Sequence, residues 1–148
     1  GLFILVKSTN PSSKDFQDRR CGAERLCELV ARKVDDWGDG LVGKSGYSAV
    51  GAVVAAGAPV LGRRLRRLMP RAFFLVPGYG AQGAAAEDMR HYFNADGYGA
   101  IVSSSRAITF AYEEQSWKRK HGEKDWEKAV EDAVVRMRRD ISRVVDNR

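Results

Sequence analysis

Phe73-Phe74-Leu75-Val76-Pro77-Gly78-Tyr79-Gly80-Ala81-Gln82-Gly83 passes without a break from an apolar run into a glycine-rich one. The first four residues read as a buried strand. The rest reads as a loop whose glycines let backbone N–H groups approach an anion that a Cβ would hold away. About two dozen residues further on, Ala100-Ile101-Val102 repeats the apolar run and leads into Ser103-Ser104-Ser105-Arg106. Each loop is followed by a stretch that can be helical, and a helix N-terminus adds partial positive charge. Arg106 supplies a planar fork that matches phosphate oxygens. Two successive strand ends of this kind are what a phosphate clamp at the mouth of an α/β barrel requires.

The same alternation extends in both directions. Leu2-Phe3-Ile4-Leu5-Val6 reads as a fully buried strand running into the polar loop Lys7-Ser8-Thr9-Asn10-Pro11-Ser12-Ser13. Leu26, Val30, Val34 and Trp37 then recur at helical spacing, with Gly38 and Gly40 as the stop. Val50-Gly51-Ala52-Val53-Val54 is the next strand; its helix carries Leu61, Leu65 and Leu68 on one face and ends at Pro70. Residues 84–93 read as a short helix and Asn94-Ala95-Asp96-Gly97 as a turn. Residues 113–124 are charged and read as a surface loop or helical insertion. The last helix carries Trp126, Ala129, Val130, Ala133, Val134, Met137, Ile141, Val144 and Val145 as one apolar stripe.

Composition narrows the function classes. With 148 residues, 44% hydrophobic and 30% charged, the chain is a single globular segment. Its net charge of +6 invites a nucleic-acid reading. However, Arg63, Arg64, Arg66 and Arg67 crowd one helix, and Arg136, Arg138, Arg139 and Arg143 interleave with acids on another, with no stacking aromatics beside them. That pattern describes solvated helix faces, so no nucleic-acid partner is expected. Cys21 and Cys27 lack neighbours at metal-ligand spacing, which predicts reduced cysteines, no metal and a cytoplasmic protein. No apolar run is long enough for a membrane span. His91 and His121 have no triad or metal context and read as surface residues; Lys14, Asp15 and Asp18 read as a solvated loop. Lys7 ends a strand but is not assigned as a base. The chain opens at Gly1 directly into a strand, as a fragment or processed product would.

The order βαβαβαβα with near-continuous apolar strands means a parallel sheet covered by helices. An open doubly wound sheet and half of an eight-stranded barrel both fit. A whole barrel takes about 250 residues and commonly binds phosphate after its seventh and eighth strands. Four units with phosphate-like loops after the last two strands therefore favour the C-terminal half of a barrel.

At these residues the chain resembles the orotidine 5′-phosphate decarboxylases in their longer bacterial form. The resemblance runs through Leu5-Val6-Lys7-Ser8-Thr9-Asn10-Pro11-Ser12-Ser13, Val50-Gly51-Ala52-Val53, Leu68-Met69-Pro70, the run from Phe74 to Gly83, the run from Phe93 to Val102, and Ser104-Ser105-Arg106. It implies strands 5–8, with their helices, of a (β/α)8 barrel, residues 1–148 forming one segment. It further implies a homodimeric carboxy-lyase without cofactor that converts orotidine 5′-monophosphate to uridine 5′-monophosphate in pyrimidine synthesis. By motif, Gln82 and Arg106 would bind the substrate phosphate, with Gly83 and Ser105 as backbone neighbours. Pro77, Gly78, Tyr79, Gly80 and Ala81 would form the loop over it, and Thr9 would contact the pyrimidine, although this chain has Ser8-Thr9 where the family has Thr-Ser. The family's Asp-x-Lys-x-x-Asp segment, which carries the proton donor, is absent from this sequence. Isolated, the chain is therefore expected to be inactive and to hold no catalytic residue. The alternative is a catalytically incomplete half-barrel that binds phosphate or nucleotide, or assembles with a complementary chain.

Overall fold

A computed structural model describes residues 1–80, 84–122 and 124–146. Four parallel strands form the main sheet: β1 (Leu2–Lys7), β2 (Val50–Val54), β3 (Phe74–Pro77) and β4 (Ala100–Ser103), in the order β1-β2-β3-β4. Helix α1 (Leu26–Gly38) follows β1, α2 (Pro59–Leu68) follows β2, and the single turn α3 (Ala86–Met89) follows β3. After β4 come α4 (Ser105–Thr109), α5 (Gln115–His121) and α6 (Trp126–Asp146). The excursion between β1 and α1 holds a helical turn, Ser13–Phe16, and a small antiparallel ribbon pairing Arg20–Cys21 with Glu24–Arg25.

Register sorts the strands into two faces, because successive residues point to opposite sides. Ile4, Ala52, Phe74 and Ala100 lie in one row across all four strands, and Leu5, Val53, Leu75 and Ile101 in the next. The first row joins the core with Val6, Val54 and Val76 beneath the helices. The second row lies on the opposite side, where Leu5 is 55% exposed and Ile101 50%. The first strand is therefore not fully buried as its apolar run suggests: Phe3 and Leu5 are exposed because nothing among the described residues covers their side, and Leu2, at the start of the strand on the helix side, is exposed as well.

The helices also depart from expectation in detail. On α1 the buried face is Cys27, Ala31, Val34 and Gly38, while Trp37 is exposed. Three small residues let the helix lie close on the sheet, and the wide indole is turned outward. Residues 84–93 hold one helical turn rather than a helix, and within residues 113–124 the insertion is helical as α5. On α6, Ala129, Ala133 and Val145 are buried but Trp126 and Val134 are exposed.

One cation anchors the end of the sheet where β3 and β4 begin. Arg66 on α2 is buried and donates to the carbonyls of Tyr92, Met69, Ala72 and Gly99 at 2.7–3.1 Å. Its guanidinium lies 3.6 Å from the centre of the Phe74 ring. Burial pushes its pKa down to about 10, so it stays charged near neutrality. Thus one member of the arginine run predicted to be solvated is a structural clamp. Beside it, Asn94 donates to Pro70 O at 2.9 Å and to the Tyr47 hydroxyl at 3.0 Å, and that hydroxyl donates to the Asp96 carboxylate. The Asn94-Ala95-Asp96-Gly97 run is thus a turn fastened to its surroundings by side chains.

Candidate functional site

The candidate residues that are described lie at the C-terminal ends of the strands, the end that carries chemistry in barrel folds. Pro77 and Ser103 are paired in register, so the glycine-rich loop and the Ser104-Ser105-Arg106 segment leave adjacent strands side by side. Gly78 (φ 105°) and Gly80 (φ 74°) take backbone conformations that L side chains avoid. The loop closes on itself: the Gly80 N–H donates to Ala84 O at 3.0 Å, and Tyr79 bridges to Ala84. Ala81, Gln82 and Gly83 lie outside the described residues. Ser104 is buried and donates through Oγ to the Tyr79 carbonyl at 2.7 Å, joining the two loops directly. Ser105 and Arg106 open α4 and are exposed.

The Tyr79 side chain is half-buried and belongs to the helix side of the loop. Burial raises its phenol pKa, and Asp140 on α6 adds to the rise. A groove of about 710 Å³ runs there between the loop and α6, with Tyr79, Trp117, Arg136 and Arg143 among its walls. Thr9, Ser105 and Arg106 do not line it.

At the end of β1, Thr9 is half-buried and Asn10 exposed. The preceding Lys7 is buried; its Nζ donates to Ser13 Oγ at 3.0 Å and pairs with Asp18 Oδ2 at 3.0 Å. Asp18 also sits 3.6 Å from Arg25. The Ser8 N–H donates to Gln17 Oε1 at 2.9 Å. Asp18 is therefore an ion-pair partner rather than a solvated loop acid, while Lys14 and Asp15 are exposed. A lysine closing an apolar strand is the signal for this pairing, since a buried cation demands an acid within reach of the next loop.

Both histidines lie away from these strand ends. His91 Nδ1 is 3.2 Å from Arg63, and His121 Nε2 is 2.9 Å from Asp132 with its ring stacked on Trp117. His121 has only 13% of its side chain exposed, because α5 folds it back against α6. Cys27 is buried and Cys21 exposed, both as free thiols. Among the described residues no cluster of metal-ligating side chains occurs, and no helix is long and apolar enough to cross a membrane.

No family model matches the chain. Among curated proteins it is similar to the orotidine 5′-phosphate decarboxylase of Caldicellulosiruptor bescii, 51% identical over 112 residues, which are 76% of this chain and 37% of that protein. It is also similar to that of Clostridium novyi, 38% identical over 144 residues, covering 97% of this chain and 48% of that one. The solved OMP decarboxylase of Leishmania donovani superposes with a TM-score of 0.62 at 29% identity, over 91% of this chain and 47% of that one. The chain thus spans about half, or less, of the length of the relatives it matches. In sequence and in fold it is a homologue of part of the orotidine 5′-phosphate decarboxylases.

Proposed function

We propose that this chain is the substrate-holding half of an orotidine 5′-monophosphate decarboxylase of pyrimidine synthesis. The observation that carries the reading is the pairing of the Gly78–Gly80 loop with the Arg106 segment on adjacent strand ends, joined by Ser104. In this reading Gln82 and Arg106 grip the phosphate, with Gly83 and Ser105 beside them. The loop from Pro77 to Ala81 closes over the ligand, and Thr9 meets the pyrimidine. Binding energy gathered at the phosphate organises the reacting centre, which sits at the far end of the nucleotide. The proton donor belongs to an Asp-x-Lys-x-x-Asp segment that this sequence does not contain. The intact enzyme is a cytoplasmic homodimer whose ligands are orotidine 5′-monophosphate and uridine 5′-monophosphate.

Titration of the chain with uridine 5′-monophosphate tests this. Binding should be tighter than for inorganic phosphate, and Arg106→Ala should weaken it at least about tenfold, some 1.4 kcal/mol. Equal affinity for the two ligands, or an unchanged affinity in the variant, would remove the assignment. A second reading is supported by the bare face of Leu5 and Ile101: a catalytically incomplete half-barrel that binds phosphate or nucleotide, or assembles with a complementary chain. It predicts nucleotide binding with no decarboxylation under any pairing with the missing segment.

A further inference from the structure

We propose that Lys7, Gln17, Asp18 and Ser13 are positioning residues that set the Thr9 hydroxyl for recognition of the base. This rests on the reading above, in which Thr9 contacts the pyrimidine. The strand does not run straight into the Thr9 loop. Leu5 pairs with Val53 but Lys7 pairs with Val54, so two residues of β1 oppose one of β2. Such a bulge bends a strand and re-aims the side chains that follow. The Lys7 carbonyl then accepts the Ala55 N–H at 2.8 Å, which holds the bent end against the neighbouring strand.

From that fixed point the loop is bracketed by side chains of one excursion. Lys7 Nζ reaches under the loop to Ser13 Oγ and Asp18 Oδ2, both at 3.0 Å. Gln17 returns to take the Ser8 N–H at 2.9 Å. Gln17 is itself fastened, its carbonyl accepting the Cys27 N–H at 3.0 Å and its own N–H donating to Ser13 O at 2.8 Å. Thr9 therefore follows directly on two residues whose positions are set by polar contacts, one of them a buried cation. A buried lysine is costly to keep unless its pairing is retained, and this pairing lies against the loop rather than deep in the core. A base-reading hydroxyl loses its use if displaced by about an ångström, and the bracket removes that freedom.

The test separates the base from the rest of the nucleotide. Uridine 5′-monophosphate and ribose 5-phosphate are titrated in parallel against the full chain and its variants. Gln17→Met and Lys7→Met should each weaken binding of uridine 5′-monophosphate about tenfold, with ribose 5-phosphate held within about twofold. Gln17→Glu, which keeps an acceptor for Ser8, and Lys7→Arg should restore most of the loss. Parallel weakening of both ligands would mean that the bracket only supports the fold, and unchanged binding of both would mean that Thr9 does not depend on it; either result overturns the proposal. Lys7→Met strips Asp18 of its close cation, so Gln17→Met, which disturbs no charge, decides the matter if the lysine variant does not fold. Should the unsubstituted chain bind both ligands equally, the base contact itself fails, a result visible before any variant is made.

Discussion

Two rows of side chains cross the sheet one residue apart, and their fates are opposite. Ile4, Ala52, Phe74 and Ala100 lie under the helices, with Ala52 and Phe74 fully buried. Leu5, Val53, Leu75 and Ile101 lie on the open side, with the two edge residues half exposed. The rows are equally apolar, so hydrophobicity alone does not say which is covered. Parallel sheets are built to be covered on both faces, and the open row is a demand that the described residues leave unmet. The difference shows that apolar content reports what a strand needs in its complete setting, whereas burial reports what this chain supplies by itself.

Substitutions on the covered row should have the largest effect. Phe74→Ala removes a ring packed in the core and stacked under Arg66, and should cost about 3–5 kcal/mol in denaturant unfolding. Arg66→Ala takes a donor from four carbonyls, of which Gly99 O and Met69 O still accept backbone N–H groups, and should cost about 3 kcal/mol. The double variant should lose less than the sum, since ring and guanidinium are in contact. Full additivity would mean that the stacking carries no weight.

Gly62→Ala comes next. A Cβ there would sit 2.8 Å from the ring of buried Tyr92, and the overpacking should cost about 1–3 kcal/mol. A melting temperature equal to that of the parent would show that Tyr92 yields freely.

Tyr92 also gives a test by pH. Its hydroxyl donates to Ala55 O at 3.0 Å, and burial pushes its pKa up to about 12 from an ordinary 10. A raised acid of this kind contributes stability that is full below pH 10 and is lost as the pH rises toward 12. Urea midpoints should therefore fall over that window, and less so in Tyr92→Phe. Identical profiles for the two proteins would contradict a buried neutral phenol.

The smallest effect belongs to the open row. Leu5→Ser or Ile101→Ser should change the stability of the chain by no more than about 0.5 kcal/mol, because each side chain already meets water. A loss of several kcal/mol would show that something covers this face in solution.

The βα alternation and the four strands were legible because near-continuous apolar runs bounded by glycine, proline and polar loops leave few alternatives. The strand-end position of the glycine loop and Arg106 followed from the same punctuation. Other features were not readable in one dimension. Arg66 sits in a run of four arginines, and only the fold separates the one facing inward from its solvated neighbours. Asp18 looks like any loop acid until the bulge at the end of β1 turns Lys7 toward it. On α1 helical spacing of large apolar residues points to Trp37, yet close helix–sheet approach buries the small Cys27, Ala31 and Gly38 instead.

The spatial order of the strands is also their order along the chain. No strand has to insert between two that have already paired, and each crossover joins immediate neighbours. Sheet assembly can therefore proceed as a zipper, each new strand adding to the edge left by the last, with a loop-closure cost limited to one βα unit at a time. Such a chain can begin to order its N-terminal units before its C-terminal helix has been synthesised.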